Sequence, residues 1–192
     1  MNDFNLYFQT GWQHIISWDA LDHLLFIAAL AAIYQWHNWR QVLVLVTAFT
    51  IGHSLTLALS VYDIYRFNQN WVEFLIPITI IITAVSNLIL QKRLSTSLRL
   101  NYVLALSFGL IHGMGFANTI RFMLASDQKI AIPLVSFNLG LEVGQILVVA
   151  LLLSAGWLLM KKLQLERKYW VVFWSVICVL QSTQMAWHRW PL

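Results

Sequence analysis

Charge is the scarcest property of this sequence. Its 192 residues include 12 Lys and Arg and 8 Asp and Glu, which is 10% of the chain, whereas about a quarter of the residues in soluble domains are charged. Hydrophobic residues make up 59%. These figures exclude a soluble globular domain and indicate a polytopic membrane protein whose main partner is the lipid bilayer. The single cysteine, Cys178, excludes an internal disulfide.

The excess of basic residues does not indicate a nucleic-acid partner. The formal net charge is +4, but the Lys and Arg residues lie in short clusters between apolar runs. Basic residues at the ends of apolar runs are explained by membrane topology. No nucleic-acid partner is therefore expected.

Six apolar runs, each long enough to cross a bilayer as a helix, follow a short amphipathic segment. In residues 1–15, apolar side chains recur every three or four positions, which predicts a helix lying on the membrane surface. No linker or repeat divides the chain, so we expect one all-α transmembrane domain over residues 1–192. The predicted spans cover about residues 16–36, 41–62, 71–90, 101–120, 132–160 and 170–187.

The distribution of basic residues predicts the orientation of these spans. Eight Lys and Arg residues lie in the first, third and fifth connections, and four lie in the other connections and the C-terminal segment. Connections rich in Lys and Arg stay in the cytoplasm. Both termini are therefore expected on the non-cytoplasmic side.

The strongly polar residues of the spans share one depth, in the non-cytoplasmic half or near the midplane. Residues three or four apart share a helix face, so the polar positions of the first span can act together, as can those of the fifth. Charged and polar groups at this depth are costly and mark candidate functional sites. The positions are Asp19, Asp22 and His23 in the first span, His53 in the second, His112 in the fourth, and Asn138, Glu142 and Gln145 in the fifth.

Small residues flank two of these positions. Gly109 and Gly113 bracket His112, and Gly140 and Gly144 bracket Glu142. Small residues four apart let helices approach closely. The spacing predicts that the fourth and fifth spans pack against each other, with His112 and Glu142 near their contact.

Three His, two Asp and one Glu in a half-buried pocket suit a first-row divalent metal ion such as Ni, Co or Zn. Carboxylates could also orient the ligating imidazoles. Structural alternatives stay open at this point. His53 could bond Thr50, Thr56 or a neighbouring carbonyl, Asp19 could cap a helix, and the charged residues could form ion pairs between helices. His14, just before the first span, could belong to the site or to the surface.

Four sequence blocks hold most of these polar positions: Gly11-Trp-Gln-His14 with Leu21-Asp22-His23, Gly52-His53-Ser54, Phe108-Gly109-Leu-Ile-His112-Gly113, and Phe137-Asn138-Leu-Gly140-Leu-Glu142. They resemble the HupE/UreJ family of bacterial membrane proteins, and the likeness is closer to a second, less characterised branch. The resemblance implies a multi-pass protein of the bacterial inner (cytoplasmic) membrane, nickel or cobalt uptake, and a metalloenzyme maturation partner. It carries metal-site roles to His14, Asp22, His23, His53, His112 and Glu142. From their positions in the spans, Asp19, Asn138 and Gln145 are further candidates, as outer or substitute positions.

The leading expectation is a protein that binds a divalent transition metal in an outward-facing intramembrane site, for nickel- or cobalt-type uptake or delivery. One alternative is an intramembrane metal-dependent hydrolase, in which a spare carboxylate acts as base. Another is a non-catalytic membrane assembly subunit. A permease needs a path through the inner half, where the sequence offers only weak donors: Ser86, Asn87, Ser107 and Ser154.

Overall fold

The computed structural model describes residues 3–90, 98–123 and 130–191, and these ranges contain helices and turns with no strand. The basic residues Lys92, Arg93 and Lys129, used above to predict orientation, lie outside the described residues, and so does the side chain of Asp19. The α-helices are α1 (Asp3–Ile16), α2 (Leu21–Ala31), α3 (Trp39–Val61), α4 (Gln69–Leu90), α5 (Leu98–Met123), α6 (Ala131–Lys162) and α7 (Arg167–His188).

Four helices in the described part of the chain are long and apolar enough to cross a membrane: α3, α4, α6 and α7. Helices α1 and α2 would add a fifth crossing if the bent pair forms one broken span. The described apolar part of α5, Asn101–Phe116, is shorter. An all-helical fold with several candidate membrane spans is thus observed, and the number six stays a prediction.

Residues 16–36 do not form the single helix that was expected for the first span. Helix α1 ends at Ile16, Ser17 is extended (φ −76°, ψ 151°), and a 3-10 turn, Trp18–Ala20, leads into α2. An extended residue interrupts the i to i−4 hydrogen-bond ladder, so the chain changes direction, and α1 and α2 are bent by more than 40° relative to each other. Helix α2 is only 11 residues long.

Helix α1 packs along the first half of α6. Tyr7, Gly11 and Ile15 are its buried residues. A Cβ atom at Gly11 would overlap the carbonyl oxygen of Phe137, and one at Gly144 would lie 3.0 Å from the Cβ atom of Ile15, so the two helices run parallel in close contact. Whether α1 also lies at the membrane surface stays a prediction.

The predicted tight pairing of α5 with α6 is wrong, because each has a different main partner. Helix α5 packs chiefly on α3 and α6 chiefly on α1. A Cβ atom at Gly109 would overlap the carbonyl oxygen of Phe49, and one at Gly52 would overlap that of Leu106. The small residues do allow close approach, as predicted. Their partners are glycines on α1 and α3, and the spacing of glycines on α5 and α6 did not indicate which helices would supply them.

Helix α2 lies at the centre of the bundle, in contact with α4, α6 and α7. The Nδ2 atom of Asn87 on α4 donates to the carbonyl oxygen of Ala29 at 2.6 Å, and the Sγ atom of Cys178 on α7 donates to that of Leu25 at 3.3 Å. Both bonds fix a short helix whose first turn carries Asp22 and His23.

Candidate metal centre

Four histidines from four helices converge near the break between α1 and α2. His14 is in the last turn of α1, and His23 is in the first turn of α2. The break brings these two rings face to edge, with 4.5 Å between their centroids. His53 on α3 and His112 on α5 complete the group, and both are fully buried because the glycine contacts draw α3 and α5 together.

Three of the rings present nitrogens at a spacing close to that of a metal site. One ligand nitrogen from each of His14, His23 and His53 lies within 4.8 Å of the others. Nitrogens bound at about 2.1 Å to one tetrahedral ion lie about 3.4 Å apart. The widest pair would therefore have to approach by up to about 1.4 Å to reach that geometry. The ring of His112 lies 5.1 Å from that of His23, measured between centroids.

Asp22 orients the imidazole of His23, and its carboxylate also accepts a hydrogen bond from Arg189. The Nδ1–H group of His23 donates to the Oδ1 atom of Asp22 at 2.9 Å, and the backbone N–H of His23 donates to the same atom at 2.9 Å. The Nη1 atom of Arg189, just after α7, donates to the Oδ2 atom at 3.2 Å. A carboxylate that accepts from Nδ1 leaves Nε2 with its lone pair free, which is the usual arrangement around a metal-binding histidine.

His112 is fixed in the same tautomer by a backbone group. Its Nδ1–H group donates to the carbonyl oxygen of Phe108, one turn earlier on α5, at 2.9 Å. Its Nε2 atom is therefore an acceptor without a proton. In both His23 and His112, Nε2 therefore carries a lone pair that no proton occupies.

Five ring nitrogens of the four histidines have no hydrogen-bond partner among the described residues. They are Nε2 of His14, His23 and His112 and both ring nitrogens of His53, and all are buried. A buried polar atom without a partner costs about 1–3 kcal/mol. Several such atoms at one point are difficult to explain by packing alone, whereas a bound metal ion would satisfy all the coordinating nitrogens.

The alternative hydrogen bonds expected for His53 are not formed. The hydroxyl of Thr50 donates to the Oε1 atom of Gln145 at 2.8 Å, and that of Thr56 donates to the carbonyl oxygen of Leu110 at 2.8 Å. Both hydroxyls are therefore directed away from the imidazole of His53.

Phenylalanine rings enclose the cluster. Phe116 lies 3.9 Å from His14 between ring centroids and stacks on Phe137 at 5.0 Å. Phe49 lies 5.1 Å from His112. Because these rings exclude water, a cation here would depend on protein donors, and its interaction with them would be stronger than in water.

Glu142 lies outside the cluster of ligand nitrogens. Its Oε1 atom accepts from the hydroxyl of Thr47 at 2.8 Å, in a groove between α3 and α6 that Asn138 also lines. The Nδ2 atom of Asn138 donates to the carbonyl oxygen of Leu134 at 2.8 Å. The polar stripe of α6 therefore faces α3, with Gln145 buried against Thr50.

Arg189 is the residue of the site that the sequence did not single out. It lies 167 positions from Asp22 in the sequence. Apart from its charge, nothing in the sequence distinguished it from the other basic residues near the ends of apolar runs. His14, which stayed undecided between site and surface, is brought into the cluster. Both positions depend on how α1, α2 and α7 pack together, and the spacing of residues along one helix does not predict that packing.

A buried group of four imidazoles inside a bundle of apolar helices defines a helical membrane protein with a candidate transition-metal site. The chain belongs to the HupE/UreJ protein family, whose model matches residues 1–189. This match confirms the resemblance seen in the four sequence blocks. Searches of curated proteins and of solved structures give no significant match.

Proposed function

We propose that this protein binds a divalent transition metal ion through His14, His23, His53 and His112. It then carries the ion across the bacterial inner membrane or delivers it to another protein, in nickel- or cobalt-type uptake or delivery. The observation that carries the proposal is the convergence of buried imidazole nitrogens that have no hydrogen-bond partner in the described part of the chain. The metal ion is the cargo in this proposal.

The chemistry of the donors favours a borderline ion. Imidazole suits Ni, Co, Cu, Fe and Zn, whereas soft thiolates would favour Cu(I). The single thiol, Cys178, donates to the carbonyl oxygen of Leu25. Membership of the HupE/UreJ family supports nickel or cobalt within this set. One carboxylate, Asp22, offsets part of the charge of the ion, and it acts through His23.

The two alternatives receive less support. A hydrolase needs a carboxylate base beside the metal-bound water. Of the candidate carboxylates whose side chains the structure describes, Asp22 is paired with His23 and Arg189, and Glu142 is bonded to Thr47. The Asp22–Arg189 ion pair does join α2 to the end of α7, as a structural role would require. That pair alone would not explain the unpartnered nitrogens on three other helices.

Metal analysis of the purified protein tests the binding step. The wild type, loaded with Ni²⁺, Co²⁺ or Zn²⁺ and desalted, should retain about one ion per chain, since the donors form one group. His23→Ala and His53→Ala should each lose it. His37→Ala is the matched control, because His37 is exposed at the turn before α3. No stoichiometric metal under any loading condition would overturn the proposal.

Uptake into sealed vesicles tests the transport step. Vesicles with wild-type protein should accumulate radioactive Ni²⁺ or Co²⁺ above empty vesicles, and those with His53→Ala should not. If the wild-type protein binds metal but the vesicles accumulate none, the proposed binding function stands and the proposed transport function is wrong.

A further inference from the structure

A second polar site lies in the other half of the bundle. A cavity of about 60 Å³ between α2, α3, α4 and α5 is lined by seven apolar and five polar residues. Two of them form hydrogen bonds across helices: Asn87 to the carbonyl oxygen of Ala29, and Asn101 to the hydroxyl of Tyr34, at 3.0 Å. The polar lining residues are Tyr34, Thr83, Ser86, Asn87 and Asn101.

This cavity is at the end of the molecule opposite the histidines. Helix α2 runs from His23 at the cluster towards Ile33 and Tyr34, which line the cavity. The guanidinium of Arg167, at the start of α7, donates to the carbonyl oxygen of Ile33. The cavity therefore faces the end that carries Arg167, which is the end expected in the cytoplasm.

A layer of phenylalanine rings separates the cavity from the histidines. Phe26 lies 5.0 Å from Phe49 and 5.7 Å from Phe108, measured between ring centroids. The ring of His112 contacts this layer on one side, at 5.4 Å from Phe26, and Phe108 lines the cavity on the other. The layer and the cavity thus follow the metal centre in sequence along the axis of the bundle.

The size and lining of the cavity suit water. A water molecule occupies about 30 Å³ in the liquid and needs two to four polar partners when buried. The cavity is large enough for at least one water molecule, and its amide and hydroxyl groups supply partners. Neutral oxygen donors of this kind bind a hydrated cation weakly, as an exit site requires.

We propose that this cavity is a hydrated second station for the cation, reached from the histidines when the phenylalanine layer rearranges. The inference rests on the proposed transport function and adds to it the path through the inner half. It also assigns a place to Ser86 and Asn87, which the sequence offered only as weak donors. The ligand is a partly hydrated divalent cation.

Cysteine labelling tests hydration without requiring transport. In a Cys178→Ser background, the Ser86→Cys thiol should react with a cationic, water-soluble methanethiosulfonate at least about tenfold faster than the Ala84→Cys thiol. Ala84 is the matched control because it is fully buried on the same helix. Reaction of Ser86→Cys with an apolar maleimide alone would show a lipid-filled cavity and overturn the proposal.

Uptake measurements then test passage of the ion. Ser86→Val fills the cavity without breaking either of the cross-helix bonds, so uptake should fall about tenfold or more while metal content at the histidines is unchanged. Ile89→Val, at an exposed position of the same helix outside the cavity, is the control and should stay within about twofold of wild type. Equal uptake by Ser86→Val and wild-type protein would overturn the proposal that the cavity is a second cation site. If the wild-type protein shows no uptake, the proposed transport function is wrong, and the labelling experiment alone decides whether the cavity is hydrated.

Discussion

The contact between α1 and α6 and the contact between α3 and α5 are built in the same way. In each, a glycine faces the carbonyl oxygen three residues before the glycine of the partner helix. Gly11 faces Phe137 and Gly140 faces Phe8 in the first contact; Gly52 faces Leu106 and Gly109 faces Phe49 in the second. Both are parallel helix pairs with a symmetrical contact, of the kind that small residues allow in membranes.

The two contacts differ in what they place in the metal centre. The α3–α5 pair contributes His53 and His112, one from each helix, whereas the α1–α6 pair contributes only His14. Glu142, two residues after Gly140, faces Thr47 in the groove between α3 and α6. The spacing of small residues thus indicates where a helix can approach a neighbouring helix. A polar residue close to those small residues can nevertheless face a third helix.

Substitution of the contact glycines should have the largest effect. Gly109→Ala and Gly140→Ala should each lower the free energy of unfolding by about 1–3 kcal/mol or more, because the added Cβ atom meets backbone, which cannot move without separating the helices. Gly109→Ala should also weaken metal binding more, since it displaces His53 and His112 together. Thermal unfolding in detergent and metal titration measure the two effects.

Gly156 provides the control for this experiment. A Cβ atom there would lie 3.2 Å from the nearest atom of the Trp170 indole, a side chain that can shift. Gly156→Ala should therefore cost less than about 1 kcal/mol. Equal melting temperatures for Gly109→Ala and Gly156→Ala would contradict the role assigned to the glycine contacts.

Removal of single histidines ranks next and compares the two helix pairs directly. His14→Ala should weaken metal binding by more than about 100-fold, because loss of a ligand should exceed the 10- to 100-fold cost of losing a residue that supports one. His112→Ala should have a smaller effect, since its nitrogen is not within the group of three that lie within 4.8 Å. Competition with a chelator measures both; a larger loss for His112→Ala would place the ion on the α5 side.

Much of the fold could be predicted from the sequence, because apolar runs and helical spacing are local properties. The depth of the polar residues predicted that His23, His53 and His112 meet. The break at Ser17 was missed, since nothing in its neighbours forbids a helix, and with it the arrival of His14. The pairing of α5 with α3 was also missed, because the glycines on α5 and α6 fitted several partners equally well.

Loss of the carboxylate behind His23 should have an intermediate effect. Asp22→Asn should weaken metal binding by about 10- to 100-fold, because an amide holds the imidazole less firmly and carries no charge to offset the ion. Arg189→Gln should weaken binding less, as Asp22 would keep its bond to His23. Isothermal titration of both variants gives the ranking, and an Asp22→Asn protein with wild-type affinity would remove Asp22 from the site.

Glu142→Gln should have the smallest effect on the equilibrium affinity for metal, and it bears most directly on the difference between the two helix pairs. Because Glu142 bonds Thr47 in the α3–α6 groove and not a residue of the histidine group, its neutral isostere should change metal affinity by less than about threefold. A loss comparable to that of His14→Ala would mean that α6 turns its carboxylate into the centre when metal binds. The α1–α6 contact would then supply one ligand from each helix, as the α3–α5 contact does.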